Sequence, residues 1–252
     1  MRIRFIPLVL IGVMLLSVGC QASSKPLDQT KKPDQAVDPT TSGYPAEVRN
    51  WLSNMKPYLV AGVIKRGGKT YLLVSGGEQR TAGQDIKISG VSDVGDKLTV
   101  RVVMNKPDGP AAQVISYSNA VYVMEKPLDD DKEVIFVNSA DEKRIPQIVG
   151  CQPTAPFLDG NRSIKIIEME LDDGEIEVEG IALVDDGTIH YRLTDGSGKV
   201  IATGRESTEA KAPAWGCFEI EHVERFAGAT HLELYWVDPQ DGSPQDILRV
   251  PL

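Results

Sequence analysis

Histidine and cysteine are scarce in this 252-residue chain, with three of each. Nucleophilic catalysis needs a positioned base, and His190, His222 and His231 all fall in or beside predicted strands rather than in a catalytic motif. No Gly-x-Ser-x-Gly elbow and no His-Glu-x-x-His pair occurs. The cysteines Cys20, Cys151 and Cys217 include no Cys-x-x-Cys, so the pattern supplies no metal site. Gly196-Ser197-Gly198-Lys199 lacks the upstream glycine and following Ser or Thr of a phosphate loop and reads as a turn. Positive charge is also short: 27 Lys and Arg against 36 Asp and Glu leave a net −9. An acidic surface repels phosphate backbones, which argues against nucleic acid as a partner. The residues therefore point to no catalytic group, no metal and no cofactor.

Long apolar runs are missing everywhere except at the start. Arg2 and Arg4 lead into an uncharged stretch, Phe5–Gly19, followed directly by Cys20. A basic lead, a short apolar core and small residues before a cut site make a secretory signal over residues 1–19. The stretch is short for a membrane span. Ser17-Val18-Gly19-Cys20 resembles a lipobox, with Ser17 where Leu is usual, and implies lipid attachment at Cys20 and a cell-membrane anchor. An ordinary signal peptidase cut, releasing a secreted protein, is the alternative. Losing Arg2 and Arg4 moves the net charge from −9 to −11.

With Cys20 lipidated, Cys151 and Cys217 are left as a pair. Outside the cytoplasm such a pair can persist as a disulfide. Closing that loop would contribute about 4 kcal/mol in the chain-entropy model. Two separate buried thiols are the other reading.

Residues 20–44 are mostly Lys, Asp, Gln, Pro, Ser and Thr. They cannot bury enough surface to offset ordering entropy, so a flexible tether of about 27 Å is expected. Val48, Trp51 and Leu52 then share one face of a short helix that Pro45 can start. Trp51 is expected to cover a core rather than to form a ligand platform. From Tyr58 the texture turns to short β-rich runs separated by Gly, Asp and Asn turns. Leu72-Leu73-Val74-Ser75-Gly76-Gly77-Glu78-Gln79-Arg80-Thr81-Ala82-Gly83, then Gly95-Asp96-Lys97-Leu98-Thr99-Val100, then Val114-Ile115-Ser116-Tyr117, resembles the C-terminal domain of PrcB, a protease-complex stabilising subunit. Ala82, Gln84 and Ser118 stand where that family has Gly, Tyr and Pro. The resemblance covers about residues 58–125 and implies a small antiparallel β domain over 45–126.

Residues 127–162 read as a linker or joining segment. Asp129-Asp130-Asp131 lacks the spaced ligands of a calcium loop and is expected to be solvated, and Val134–Val137 is a candidate joining strand. From Ser163 the alternation is clearest. Turn signals at Asp172-Asp173-Gly174, Asp185-Asp186-Gly187 and Asp195-Gly196 separate about seven strands, the pattern of an immunoglobulin-like sandwich over 163–252. Ile176–Ala182, Gly187–Gly204 and Trp215–Ile220 resemble the bacterial spore-germination immunoglobulin-like domain. That resemblance implies binding or assembly at the surface of a spore-forming or related bacterium, and brings no catalytic residue.

The fold expected is mainly β, a small antiparallel sheet domain followed by an immunoglobulin-like sandwich. The function expected is non-enzymatic: an exported binding module whose partner is an envelope protein, of a protease or sporulation complex. Trp215, Tyr235 and Trp236 are the candidate partner contacts, since aromatics dominate interface energies. Two rivals remain. One is a carbohydrate or peptidoglycan binder using Trp and Asp on a sandwich edge. The other is an envelope hydrolase or protease inhibitor whose site hides among generic carboxylates.

Overall fold

The protein is described by a computed structural model covering residues 43–252 except Asp108, Asp173 and Arg225. The signal expected over 1–19, the lipid site expected at Cys20 and the tether expected as far as residue 42 lie outside the described residues. The described chain is mainly β, with one helix, α1 (Ala46–Met55).

The first module has two three-stranded sheets. One takes β1 (Leu59–Arg66), β2 (Lys69–Gln79) and β5 (Ser116–Met124) in the order β1-β2-β5; the other takes β3 (Asp85–Val94), β4 (Lys97–Asn105) and β6 (Glu133–Asn138) in the order β3-β4-β6. Leu72, Val74 and Ala61 pack from the first sheet onto Leu98, Val100, Val102 and Phe136 of the second. Tyr71 and Leu73, alternating with them, point to the opposite face and enter a different core. The unbroken apolar run Tyr71–Val74 is what a strand buried on both faces requires.

The second module is a sandwich. One sheet runs β7 (Ile148–Val149), β13 (Trp215–Glu224), β10 (Glu175–Ala182), β9 (Ile164–Asp172), β8 (Asp159–Gly160). The other runs β12 (Val200–Ser207), β11 (Thr188–Thr194), β14 (His231–Val237), β15 (Pro244–Pro251). Alternate residues Ile164, Ile166, Ile176, Val178, Ile189, Leu193, Leu232 and Leu234 fill the space between. Gly174 lies between β9 and β10, and Gly196-Ser197-Gly198 lies in the β11–β12 hairpin, with the Asp195 carboxylate accepting from the Ser197 and Lys199 N–H groups.

Residues 127–162, read from sequence as a linker or joining segment with a strand at Val134–Val137, contribute β6 there and also β7 and β8, so both modules draw strands from them. β6 pairs in parallel with β4, and a parallel partner lies too far along the chain for local patterning to reveal. β7 joins the modules: the Ala61 N–H donates to the Pro146 carbonyl at 2.8 Å, and the Trp215 N–H donates to the Gln147 carbonyl at 3.0 Å.

Helix α1 fills the space these strands leave. Val48, Trp51 and Met55 are fully buried against Val60, Leu73, Ile148, Ile181 and Trp215, a core to which both modules contribute. Trp51 lies flat on β1 at Gly62, where a Cβ would fall 2.7 Å from its ring. Its Nε1–H donates to Gln152 Oε1 at 2.8 Å. Asn50 donates to the Thr154 carbonyl, and Asn54 to those of Pro153 and Ala155. Residues 152–155 thus strap the helix down. Tyr44, placed in the tether by composition, packs edge-on against Tyr71 with ring centroids 6.4 Å apart.

Candidate functional site

Two exposed faces of the sandwich concentrate charge and aromatic character. The first is the outer face of the sheet β12-β11-β14-β15. Inward Ile189 and Leu193 alternate with His190 and Arg192, and pairing sets His190 beside Arg205 on one side and Tyr235 on the other. The His190 and Tyr235 rings stack at 5.6 Å, and the Arg192 guanidinium lies 5.2 Å from the Tyr235 centroid. Arg192 Nε donates to Glu233 Oε2 at 2.6 Å, and Arg249 Nε sits 3.7 Å from the other Glu233 oxygen. Glu233 is only 7% exposed, so this carboxylate anchors two arginines at the centre of the face. Arg249 Nη2 also lies 3.2 Å from His231 Nδ1.

The candidate contacts separate here. Tyr235 lies on this face, half-buried. Trp236 points the other way, packs against the sandwich core and donates from Nε1 to Asp246 at 3.1 Å. Trp215 is 2% exposed and meets Tyr58 edge-on at 4.8 Å in the core between the modules. Its reading as a partner contact is corrected: α1 and Tyr58 cover the sheet face that it stands on. Arg192, Arg205 and Arg249 were missed in sequence, because only the register brings three separate strands' arginines together.

The second face belongs to the opposite sheet. Glu168, Glu179 and Glu219 are cross-strand neighbours on β9, β10 and β13. Burial, then the adjacent charges of Glu168 and Glu219, push the Glu179 carboxyl above its ordinary range. Beside this row opens a cleft of about 360 Å³ lined by Gly150, Cys151, Glu179, Glu209, Cys217 and Glu219. Cys151 and Cys217 are joined in a disulfide with Cα atoms 5.8 Å apart. Among the described residues no cluster of His, Cys, Asp and Glu has a metal-holding arrangement.

A third polar site ties the sandwich together. Asp246 accepts from Ser163 Oγ at 2.6 Å, Trp236 Nε1 at 3.1 Å and Arg162 Nε at 3.0 Å. Burial raises this carboxyl, but those hydrogen bonds and the Arg162 charge outweigh it and hold the group below its ordinary range.

Fold and faces together define a β-rich chain whose sandwich displays an arginine- and aromatic-bearing sheet. The model of a family described as the immunoglobulin-like domain of bacterial spore germination matches residues 168–243, inside the sandwich. That match is consistent with a non-enzymatic binding module. No curated protein matches the chain.

Proposed function

We propose that this is an exported, lipid-anchored binding and assembly module of a bacterial envelope, with the outer face of β12-β11-β14-β15 as its contact surface. The observation that carries this reading is the grouping of Tyr235, His190, Arg192, Arg205 and Arg249 on one exposed sheet. Tyr and Arg are enriched where interfaces concentrate their binding energy. The match to a germination domain and the likeness of residues 58–125 to the PrcB C-terminal domain support a protein partner from a protease or germination complex. Cys20 would carry the lipid. A photo-crosslinking residue at position 205 or 235, in cells carrying the full chain, should capture one protein that the same residue at position 170 does not. Retention on purified cell wall with no specific protein adduct would replace this reading with carbohydrate binding.

One observation favours a second reading, an envelope hydrolase: carboxylates converge on a cleft, and Glu179 holds its proton more tightly than an ordinary glutamate. A general acid needs that property. Glu179→Gln should abolish any wall-hydrolysing activity of the purified protein if the reading is right. The binding reading expects no such activity to lose.

A further inference from the structure

The Cys151–Cys217 disulfide is not sealed in the core. Cys217 is buried in the core between the modules, whereas Cys151 is half-buried, and both line the cleft beside Glu179, Glu209 and Glu219. The placement is close. The Glu209 N–H donates to the Cys217 carbonyl at 2.8 Å, and a Cβ built at Gly150 would fall 2.7 Å from Glu209 Cγ and 3.0 Å from Cys217 Cβ. Gly150 also has φ +97°, so a side chain there is excluded twice, and the wall over the sulfurs remains bare backbone. On the far side of Cys151 the chain continues directly into Gln152–Ala155, the strap that holds Trp51, Asn50 and Asn54.

We propose that this disulfide is a thiol-exchange site filtered by charge, open to neutral and cationic thiols and guarded by three glutamates against anionic ones. The attacking species is a thiolate. It bonds to the sulfur of Cys151, the less buried residue of the pair, the Cys151–Cys217 bond breaks, and Cys217 leaves as a thiolate that takes a proton from water. A second thiolate displaces Cys151 from the mixed disulfide. The products are two protein thiols and one small-molecule disulfide, so two thiols supply the two electrons. A thiolate carrying extra carboxylates meets Glu179, Glu209 and Glu219 on its approach, while an ammonium-bearing thiolate does not. Repulsion of this kind is felt within a Debye length and is lost in concentrated salt.

The test compares reduction of the folded chain, from residue 21 to the end, by cysteamine and by glutathione, read by alkylation and mass. Each rate is divided by the same thiol's rate on a small uncharged disulfide. At low ionic strength cysteamine should be favoured on the order of tenfold. That preference should collapse in 1 M salt (~3 Å Debye length) and in the triple variant Glu179→Gln, Glu209→Gln, Glu219→Gln. The salt series on the unmodified chain stands even if the triple variant fails to fold. A preference unchanged by salt overturns the proposal. So does a disulfide that neither thiol reduces without denaturant.

Discussion

Replacing Trp51 by Ala tests whether the two β modules stand on a shared core. The indole is fully buried between β1 and the strap, so truncation leaves a cavity that Gly62 below it cannot fill. Truncating a buried Trp costs about 3–5 kcal/mol. Gln152 Oε1 also loses its donor, which adds on the order of 1–3 kcal/mol when the oxygen remains shielded from water. Against a typical total of roughly 5–15 kcal/mol, the loss takes a large share of the stability. Urea unfolding should be followed by far-UV circular dichroism and by fluorescence. Two of the three tryptophans remain as reporters, Trp215 in the shared core and Trp236 against the sandwich core. In the unmodified chain both signals should change together. In the variant the midpoint should fall steeply, and Trp215 should become solvent-exposed at lower urea than Trp236. A loss below about 1 kcal/mol, small beside the usual core truncation, would refute the argument. So would unchanged Trp215 emission in the folded variant.

Three other outcomes follow from the polar sites. Asp246→Asn should destabilise the sandwich at neutral pH; because the folded carboxyl lies below its ordinary range, that stability is present above the unfolded pKa and lost as pH falls through the folded one, so the two proteins' melting temperatures should converge in acid. Glu179→Gln should act oppositely: the folded carboxyl is raised, so its contribution is fully present below the unfolded pKa and lost as pH rises through the folded one, and the variant should melt higher at neutral pH but not in acid. Arg192→Met leaves the buried Glu233 with only the more distant Arg249 and should cost about 2–3 kcal/mol by chemical denaturation, while adding Glu233→Leu should recover most of it.

Much of the β architecture was legible because its signals are local. Asp173-Gly174 and Gly196-Ser197-Gly198 mark hairpins through turn chemistry, and the alternation of Ile176, Val178 and their neighbours shows the sandwich face. The segment 127–162 was legible only at β6, read as a joining strand over Val134–Val137. Its strands are short, two of them pair in parallel with distant partners, and its prolines mimic a linker. Trp51 was legible as the cover of a core, but the fates of the other two tryptophans were hidden. Trp51, Trp215 and Trp236 are alike in sequence, yet the first two share the core between modules and the third anchors Asp246.

By itself, then, the sequence determined the class: a mainly β chain in two modules, with a cysteine pair available for bridging. Each rests on composition or on periodicities of a few residues. Tertiary structure alone decided that α1 and a supposed linker lock the modules into a shared core. It also decided that two arginines meet at Glu233 and that three glutamates line the cleft that the disulfide borders. Those groupings depend on which strands become neighbours and in what register. A shift of one residue would turn the strand-borne members of those groups to the opposite face.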